Sequence, residues 1–396
     1  MLTDDLTVEN KKNMTSSRDF SIFLVMNFFL FSRLTDPFHC TFCWTLSAIV
    51  NNKKRNFMAK VEWADHPHQQ LQQEHRIYTI LKWKPGIGSV VEGIGTHLSK
   101  NVVLKTADGN NDRFNLLFLD QLGIDLSTIQ KRMRDLYTTK ANPYYCMNKH
   151  TVINCATQMF MVVQTLHDGY FIHRDIKLSN FMMGGGIEKH MLYLIDFGLS
   201  KQYKNSYGEH MNTDQKYQVN IGTKSYSSRF VLENQTPTRR DDLISVIYAI
   251  LALILGALPW DLHYNAYIKN PEAQESLRKF SGQKREDAKK KLYDGIAMKL
   301  KKWEARHLFF EFEIYDEYRE ICAIYEHCLS LKPQEDPNYD IIDGALEQIQ
   351  MRHSYKWDYF EWLHKGNPTL ENPKNCVYDD LEKEFKHNYG KDPSRN

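Results

Sequence analysis

The sequence predicts an α+β fold of two lobes, a small β-rich lobe with one helix followed by a larger, mainly helical one. Three observations carry this. Short apolar runs of strand length crowd into residues 56–121. Beyond them the apolar residues change to helical spacing, as in Val152, Ile153, Ala156, Phe160, Val163 and Leu166. The chain of 396 residues, 42% hydrophobic and 25% charged, has enough apolar material for a sizeable core and the ordinary composition of a soluble globular protein.

The elements follow in order. Residues 1–19 are polar and read as disordered. Phe20–Leu34 is apolar and Phe-rich but broken by Asn27 and Arg33; it is shorter than the about 20 residues of a spanning helix and lacks the flanks of a signal peptide. Residues 1–50 therefore stand apart as an atypical N-terminal segment, a structured domain runs over 51–364, and 365–396 reads as a polar tail. Within the domain, Phe57–Glu62 predicts a strand, Gln69–Trp83 a helix, and 102–104 and 116–119 further strands. Gly169 is placed to end the helix over 152–166 in a left-handed conformation. Leu243–Leu255 is apolar on nearly every side yet too short to span a membrane, so it predicts a buried core helix. Lys289–Tyr325 alternates charged and aromatic residues in helical fashion.

Net charge is +2, which gives no argument for nucleic acid, and no membrane partner is expected. The seven cysteines are odd in number and scattered; they point to a reducing compartment, the cytoplasm, with the nucleus left open.

The chemistry is carried by His173-Arg174-Asp175-Ile176-Lys177-Leu178-Ser179-Asn180, followed by Ile195-Asp196-Phe197-Gly198. Phosphoryl transfer from ATP needs a carboxylate at the acceptor hydroxyl, Mg²⁺ ligands, and a cation on the moving phosphate. Asp175 is the candidate base or orienting carboxylate, Lys177 the cation, and Asn180 and Asp196 the metal ligands; this is the protein-kinase signature. Upstream, Lys60 on a predicted strand is the candidate contact to the α- and β-phosphates, and Glu74 on the following helix its partner. Lys177, two residues after Asp175, fits the serine/threonine pattern.

Over about residues 56–364 the chain resembles the casein kinase 1 group of serine/threonine kinases, with the tau-tubulin kinase branch equally compatible. The residues are Lys60-Val61-Glu62, the run His66 to Tyr78, Phe118 to Leu126, Gly222-Thr223-Lys224-Ser225-Tyr226, Thr238 to Leu243, Gly256 to Trp260, and Tyr355-Lys356-Trp357-Asp358-Tyr359. The resemblance implies a two-lobed kinase with ATP under the hinge, Leu119 as gatekeeper, and Asp120 to Leu122 meeting the adenine through backbone groups. It implies Ser/Thr-bearing protein substrates and a monomeric catalytic domain. It also implies that Asp242 braces the catalytic loop; helix capping is the alternative role for Asp241 and Asp242.

Three departures accompany it. No glycine precedes Gly86, so the slot of the glycine-rich loop falls on His39-Cys40-Thr41-Phe42-Cys43-Trp44. Two readings of this stand: a weak or dead kinase, hence a pseudokinase or scaffold, or an N-terminus that does not belong to the protein. The basic residue that the group places before the tyrosine is Ser225 here; Lys224, Arg229, Arg239 and Arg240 are candidates for a substitute anion site, against a plain solvated basic face. Ser228-Arg229-Phe230 stands where the group has Ser-Ile-Asn.

Overall fold

The computed structural model describes residues 25–27, 41–50, 53–67, 69–88, 99–105, 111–138, 145–211 and 221–363, and for 25–27, 41–50, 53–56, 99–101, 103–105 and 111 the backbone alone. The chain divides into two compact units. One comprises residues 1–123 with the short stretch 195–198 and 382–396; the other comprises 124–194 and 199–381.

The first unit is built on one antiparallel sheet. Its strands are β1 (Val25–Asn27), β2 (Thr41–Val50), β3 (Lys53–Trp63), β4 (Ser99–Lys105) and β5 (Asn111–Asp120), in the spatial order β1-β2-β3-β5-β4. β2 is rich in β-branched and aromatic residues, which suit a pleated surface. It pairs along its whole length with β3, Cys43 facing Lys60, so residues 41–50, grouped by sequence with the atypical N-terminal segment, lie in the same sheet as Lys60. One helix, α1 (Leu71–Ile80), packs on the sheet through Leu71, Ile77 and Tyr78 and is shorter than the predicted 69–83. Its first turn is capped from the sheet. The wholly buried Glu62 carboxylate accepts from the backbone N–H of Gln70 (2.5 Å) and Leu71 (3.0 Å) and from Asn115 Nδ2 (3.3 Å). A carboxylate there satisfies orphan donors and meets the positive end of the helix dipole.

The second unit is helical: α2 (Leu126–Tyr137), α3 (Lys149–Asp168), α4 (Arg229–Leu232), α5 (Arg239–Leu255), α6 (Pro259–Ile268), α7 (Pro271–Arg278), α8 (Gly282–Lys301), α9 (Ala305–Glu311), α10 (Tyr315–Ser330) and α11 (Tyr339–His353). Two small antiparallel pairs complete it, β6 (Phe171–Ile172) with β9 (Lys201–Gln202) and β7 (Phe181–Met183) with β8 (Leu192–Leu194). Asp125, Asn148 and Asn338 cap α2, α3 and α11 through their side chains. The core helix α5 is the one the sequence predicts, buried along nearly its whole length against α3 and α10 and closed by Gly256 at φ +75°. Among the described residues no single helix is long and apolar enough to cross a membrane.

Two expectations shift. Gly169 ends α3 at φ −77°, and the left-handed residue is Tyr170 (φ +68°), because the Gly169 N–H still bonds back to Leu166 and Thr165 and the chain reverses one residue later. The long helical region 289–325 is broken into α8, α9 and α10. In the closing segment Trp357 is 60% exposed and the buried tryptophan is Trp362. Glu361 beside it accepts from Tyr145, from the Asn148 backbone and from the Asn148 side chain. The tail after 364 and most of residues 1–40 lie outside the described residues.

The Glu62 cap is testable. Glu62→Ala leaves two helix N–H groups buried and unpaired, which costs about 2 kcal/mol or more. Urea unfolding should show that loss, with faster amide exchange in α1, while Glu62→Gln, which keeps an acceptor oxygen, should lose clearly less.

Candidate active site

In the first unit, β3 and α1 bring Lys60 and Glu74 together. Lys60 Nζ lies 2.6 Å from Glu74 Oε2 and 2.5 Å from Asp196 Oδ1, so one buried ammonium bridges two carboxylates. Burial pushes the Glu74 carboxyl above its usual range; Lys60 pulls it down and Asp196 pushes it up again. The helix is also fixed to the segment after Asp196. The Phe197 N–H donates to Glu74, and the Phe197 ring meets the Tyr78 ring edge-on at 5.0 Å. A Cβ on Gly198 would come within 2.8 Å of the Gln70 side chain. Asp196 itself sits at φ +67°, an uncommon conformation for a non-glycine residue, and its side chain is 42% exposed. Leu119 and Asp120 end β5 opposite Met58 and Phe57, and Leu122 follows; all three are half-buried.

In the second unit, Asp175, Lys177 and Asn180 are gathered on the segment after β6. Lys177 Nζ donates to Asp175 Oδ2 (2.7 Å) and to Thr223 Oγ1 (3.1 Å). Asn180 Nδ2 donates to the Asp175 carbonyl (2.8 Å), which leaves the Asn180 amide oxygen as an acceptor. Thr223 closes on Asp175 twice, with its N–H and its hydroxyl each 2.8 Å from Oδ1. Gly222 makes that approach possible. It has φ +78°, and a Cβ there would lie 2.3 Å from the Arg174 carbonyl oxygen.

Asp242 holds this segment from the start of α5. Its buried carboxylate accepts from the backbone N–H of His173 (2.6 Å) and Arg174 (2.9 Å), and Arg174 sits at φ +69°. His167 Nε2 lies 3.0 Å from the same carboxylate, and its Nδ1 faces the Tyr339 hydroxyl. With an acceptor on one side and a hydroxyl on the other, the network assigns a neutral ring that donates from Nε2. Burial lowers the His167 pKa against the pull of Asp242. For Asp242, burial alone would raise the pKa, but the hydrogen bonds from His167 and the Arg174 backbone outweigh it and the net direction is down. The two roles foreseen for the acidic pair are divided: Asp242 braces the loop, while Asp241 accepts from the Thr238 backbone, the Thr238 hydroxyl and the Ser228 hydroxyl.

The protein kinase domain family matches residues 123–342, more than half of the chain. The chain belongs to the protein kinase family. In this kinase the predicted residues fall into two groups: Lys60, Glu74 and Asp196 in one unit, and Asp175, Lys177 and Asn180 in the other. The donor chemistry suits the family's nucleotide and metal, with hard oxygen donors from Asp196 and Asn180 and lysine ammonium groups for phosphate.

Two results lay beyond the sequence. Thr223 as a direct partner of Asp175 and Lys177 was visible only as part of a motif. The basic residues expected to offer an anion site include two that are internal to the kinase domain. Arg239 is paired with Asp336 and lies 4.5 Å from the Tyr203 ring; Arg240 donates to the Leu331 carbonyl (2.9 Å) and lies 3.5 Å from the Phe230 ring. Both are less than a tenth exposed, so neither belongs to a solvated anion site.

Gly222→Ala should lower phosphotransfer turnover about 100-fold, the scale of a 1 Å misplacement at a reacting group, with little change in ATP affinity. Steady-state kinetics checks it. The His167–Asp242 pair predicts an acid-side loss of stability. Both pKa values lie below their unfolded values, so the stabilisation is complete above the unfolded histidine value of about 6.5 and falls as pH drops through the folded values. The melting temperature should decline between about pH 7 and pH 5, and His167→Gln, which keeps a donor to Asp242, should flatten that decline.

Proposed function

We propose that this chain is an active serine/threonine kinase of the casein kinase 1 type. It would transfer the γ-phosphoryl group of ATP to Ser or Thr hydroxyls of protein substrates, working as a monomeric catalytic domain in the cytoplasm, with the nucleus open to it. One observation carries the reading: Asp175 is held by Thr223, by Lys177 and, through its backbone, by Asn180.

Each residue has a defined part. Asp175 accepts from and orients the acceptor hydroxyl; its Oδ1 is fixed by two bonds from Thr223, so it is aimed before substrate arrives. Lys177 places a positive charge within reach of both Asp175 and Thr223, where charge grows on the moving phosphoryl group. The Lys177–Thr223 link supports Ser/Thr acceptors. Lys60, positioned by Glu74, would hold the α- and β-phosphates, and Asn180 and Asp196 would hold Mg²⁺, which neutralises the triphosphate when bound. Leu119, Asp120 and Leu122 are the proposed adenine contacts. The casein kinase 1 assignment is supported by Glu62 of the Lys-x-Glu motif, whose cap fixes the helix bearing Glu74, and by the internal Arg239–Arg240 pair.

A second reading is a binding module that keeps the fold without transfer. The absence of any glycine before Gly86 favours it, since backbone N–H groups approach phosphates most closely at glycine. Labelled ATP with Mg²⁺ and casein separates the two. The active reading expects incorporation by the chain as it stands and a drop of about 100-fold or more for Asp196→Asn. No incorporation by either protein leaves the binding module or an N-terminus that does not belong to the protein, and sequencing the 5′ end of the transcript chooses between them.

A further inference from the structure

Lys301 is a lysine that the phosphotransfer chemistry does not use. It is the last residue of α8, and its side chain is wholly buried. Its ammonium donates to three backbone carbonyls of one short stretch: Lys224 (2.9 Å), Ser225 (3.0 Å) and Ser227 (2.8 Å). Behind it lie two aromatic faces, Trp260 at 4.3 Å and Tyr248 at 5.2 Å from the ring centroids. Three N–H donors meet three acceptors, which only the protonated amine can do. The stretch it holds begins immediately after Thr223, the residue that closes on Asp175 and Lys177. The stretch is also held by Ser245, which donates to the Tyr226 carbonyl (2.8 Å), by Ser228, which donates to Asp241, and by its own turn, in which the N–H groups of Tyr226 and Ser227 donate to the Thr223 carbonyl. Without Lys301, the Ser225 and Ser227 carbonyls would lose this donor beside an aromatic interior, a cost that unpaired buried backbone groups rarely bear, while the Lys224 carbonyl would keep the Ser227 N–H (3.2 Å).

We propose that Lys301 is a positioning residue for the protein acceptor: by clamping the backbone of Lys224–Ser227 it holds the segment on which the substrate chain lies, and so sets affinity for protein substrate separately from affinity for ATP. The proposal rests on the kinase reading above. The clamp is also poised to respond to pH. Burial brings the Lys301 ammonium down to about 7, against the pull of Asp261 on α6 and Asp294 on α8. The other groups around it are phenols, Tyr248 on α5, Tyr226 on the clamped segment and Tyr293 on α8, which burial pushes up and so keeps neutral. On α4, Arg229 donates to the neighbouring Lys302 carbonyl. As pH rises past neutrality, Lys301 loses the third donor and the clamp loosens.

The test uses the full chain with Lys301→Met and Lys301→Arg, with casein as acceptor and labelled ATP. Lys301→Met should raise KM for casein about tenfold while KM for ATP moves less than about twofold. In the unsubstituted protein KM for casein should rise between about pH 6.5 and pH 8. Lys301→Arg, which stays charged throughout, should retain most of the affinity and give a flat profile. Amide exchange supplies a readout independent of activity: Lys301→Met should speed exchange in 222–228 and leave α3 unchanged. If the unsubstituted chain transfers no phosphate, the kinase reading fails, and the exchange experiment alone decides the clamp. Equal casein KM values with unchanged exchange in 222–228 overturn the proposal. Should Lys301→Met not fold, the Lys301→Arg pH profile decides it, and a rise with pH like that of the unsubstituted protein counts against Lys301.

Discussion

The second unit hangs on one buried carboxylate. Asp242 sits in the first turn of α5, where the helix dipole favours negative charge, and α5 is the most deeply buried helix of the unit. From that fixed point its oxygens hold the N–H groups of His173 and Arg174. This sustains Arg174 in a left-handed conformation that an unsupported residue would leave. The strained turn directs Asp175 toward Thr223 and turns the Arg174 carbonyl toward Gly222, where only a glycine fits. Thr223 in turn leads into the carbonyls clamped by Lys301. The line from Asp242 to Lys301 is one continuous set of backbone contacts, each fixed by a buried charged or hydroxyl group. A change at either end reaches Asp175 without touching it.

The first unit repeats the principle with different parts. Glu62 and Lys60 lie two residues apart on β3. Glu62 grips the start of α1 by its backbone, and Lys60 grips Glu74 within the same helix. The Tyr78–Phe197 contact and the Phe197 N–H bond to Glu74 add a further hold from the Asp196 segment. The helix is thus fastened in its first turn by two buried carboxylates, Glu62 from the strand and its own Glu74, using residues of this unit alone. Nothing in that set requires a modified side chain.

The kinase fold was legible because the motif residues Asp175, Lys177, Asn180, Asp196 and Lys60 stand at a recognisable spacing in the linear order. The core helix was legible because an all-round apolar stretch has few other uses. What stayed hidden depended on tertiary contact. Charge alone marked Arg239 and Arg240 as surface groups, but both are turned inward onto aromatic rings and carbonyls. Trp357 stood out in the closing motif, while Trp362, five residues on, fills the core. Lys301 sits in a run of lysines, Lys299, Lys301 and Lys302, that reads as solvated; only the packing of α8 shows that one of the three faces inward. β2 lacked the glycines expected of its neighbourhood, and that hid its strand character.

The cost of these arrangements bears on what they are for. A buried lysine between two carboxylates, a buried lysine under three carbonyls, and the positive φ of Arg174 and Asp196 each work against stability. Apolar side chains of similar volume would hold such a fold at least as firmly. A domain selected only as a surface for partners has no need to hold an aspartate between a threonine and a lysine, or an ammonium against a carboxyl raised by burial. Paired charges buried against their own solvation are what a phosphoryl-transfer site uses, and they support the active reading proposed above. The stretch before Gly86 supplies no glycine for a close approach to phosphate, while Lys60 with Glu74 and Asp196 in one unit, and Asp175 with Lys177 in the other, keep their pairings.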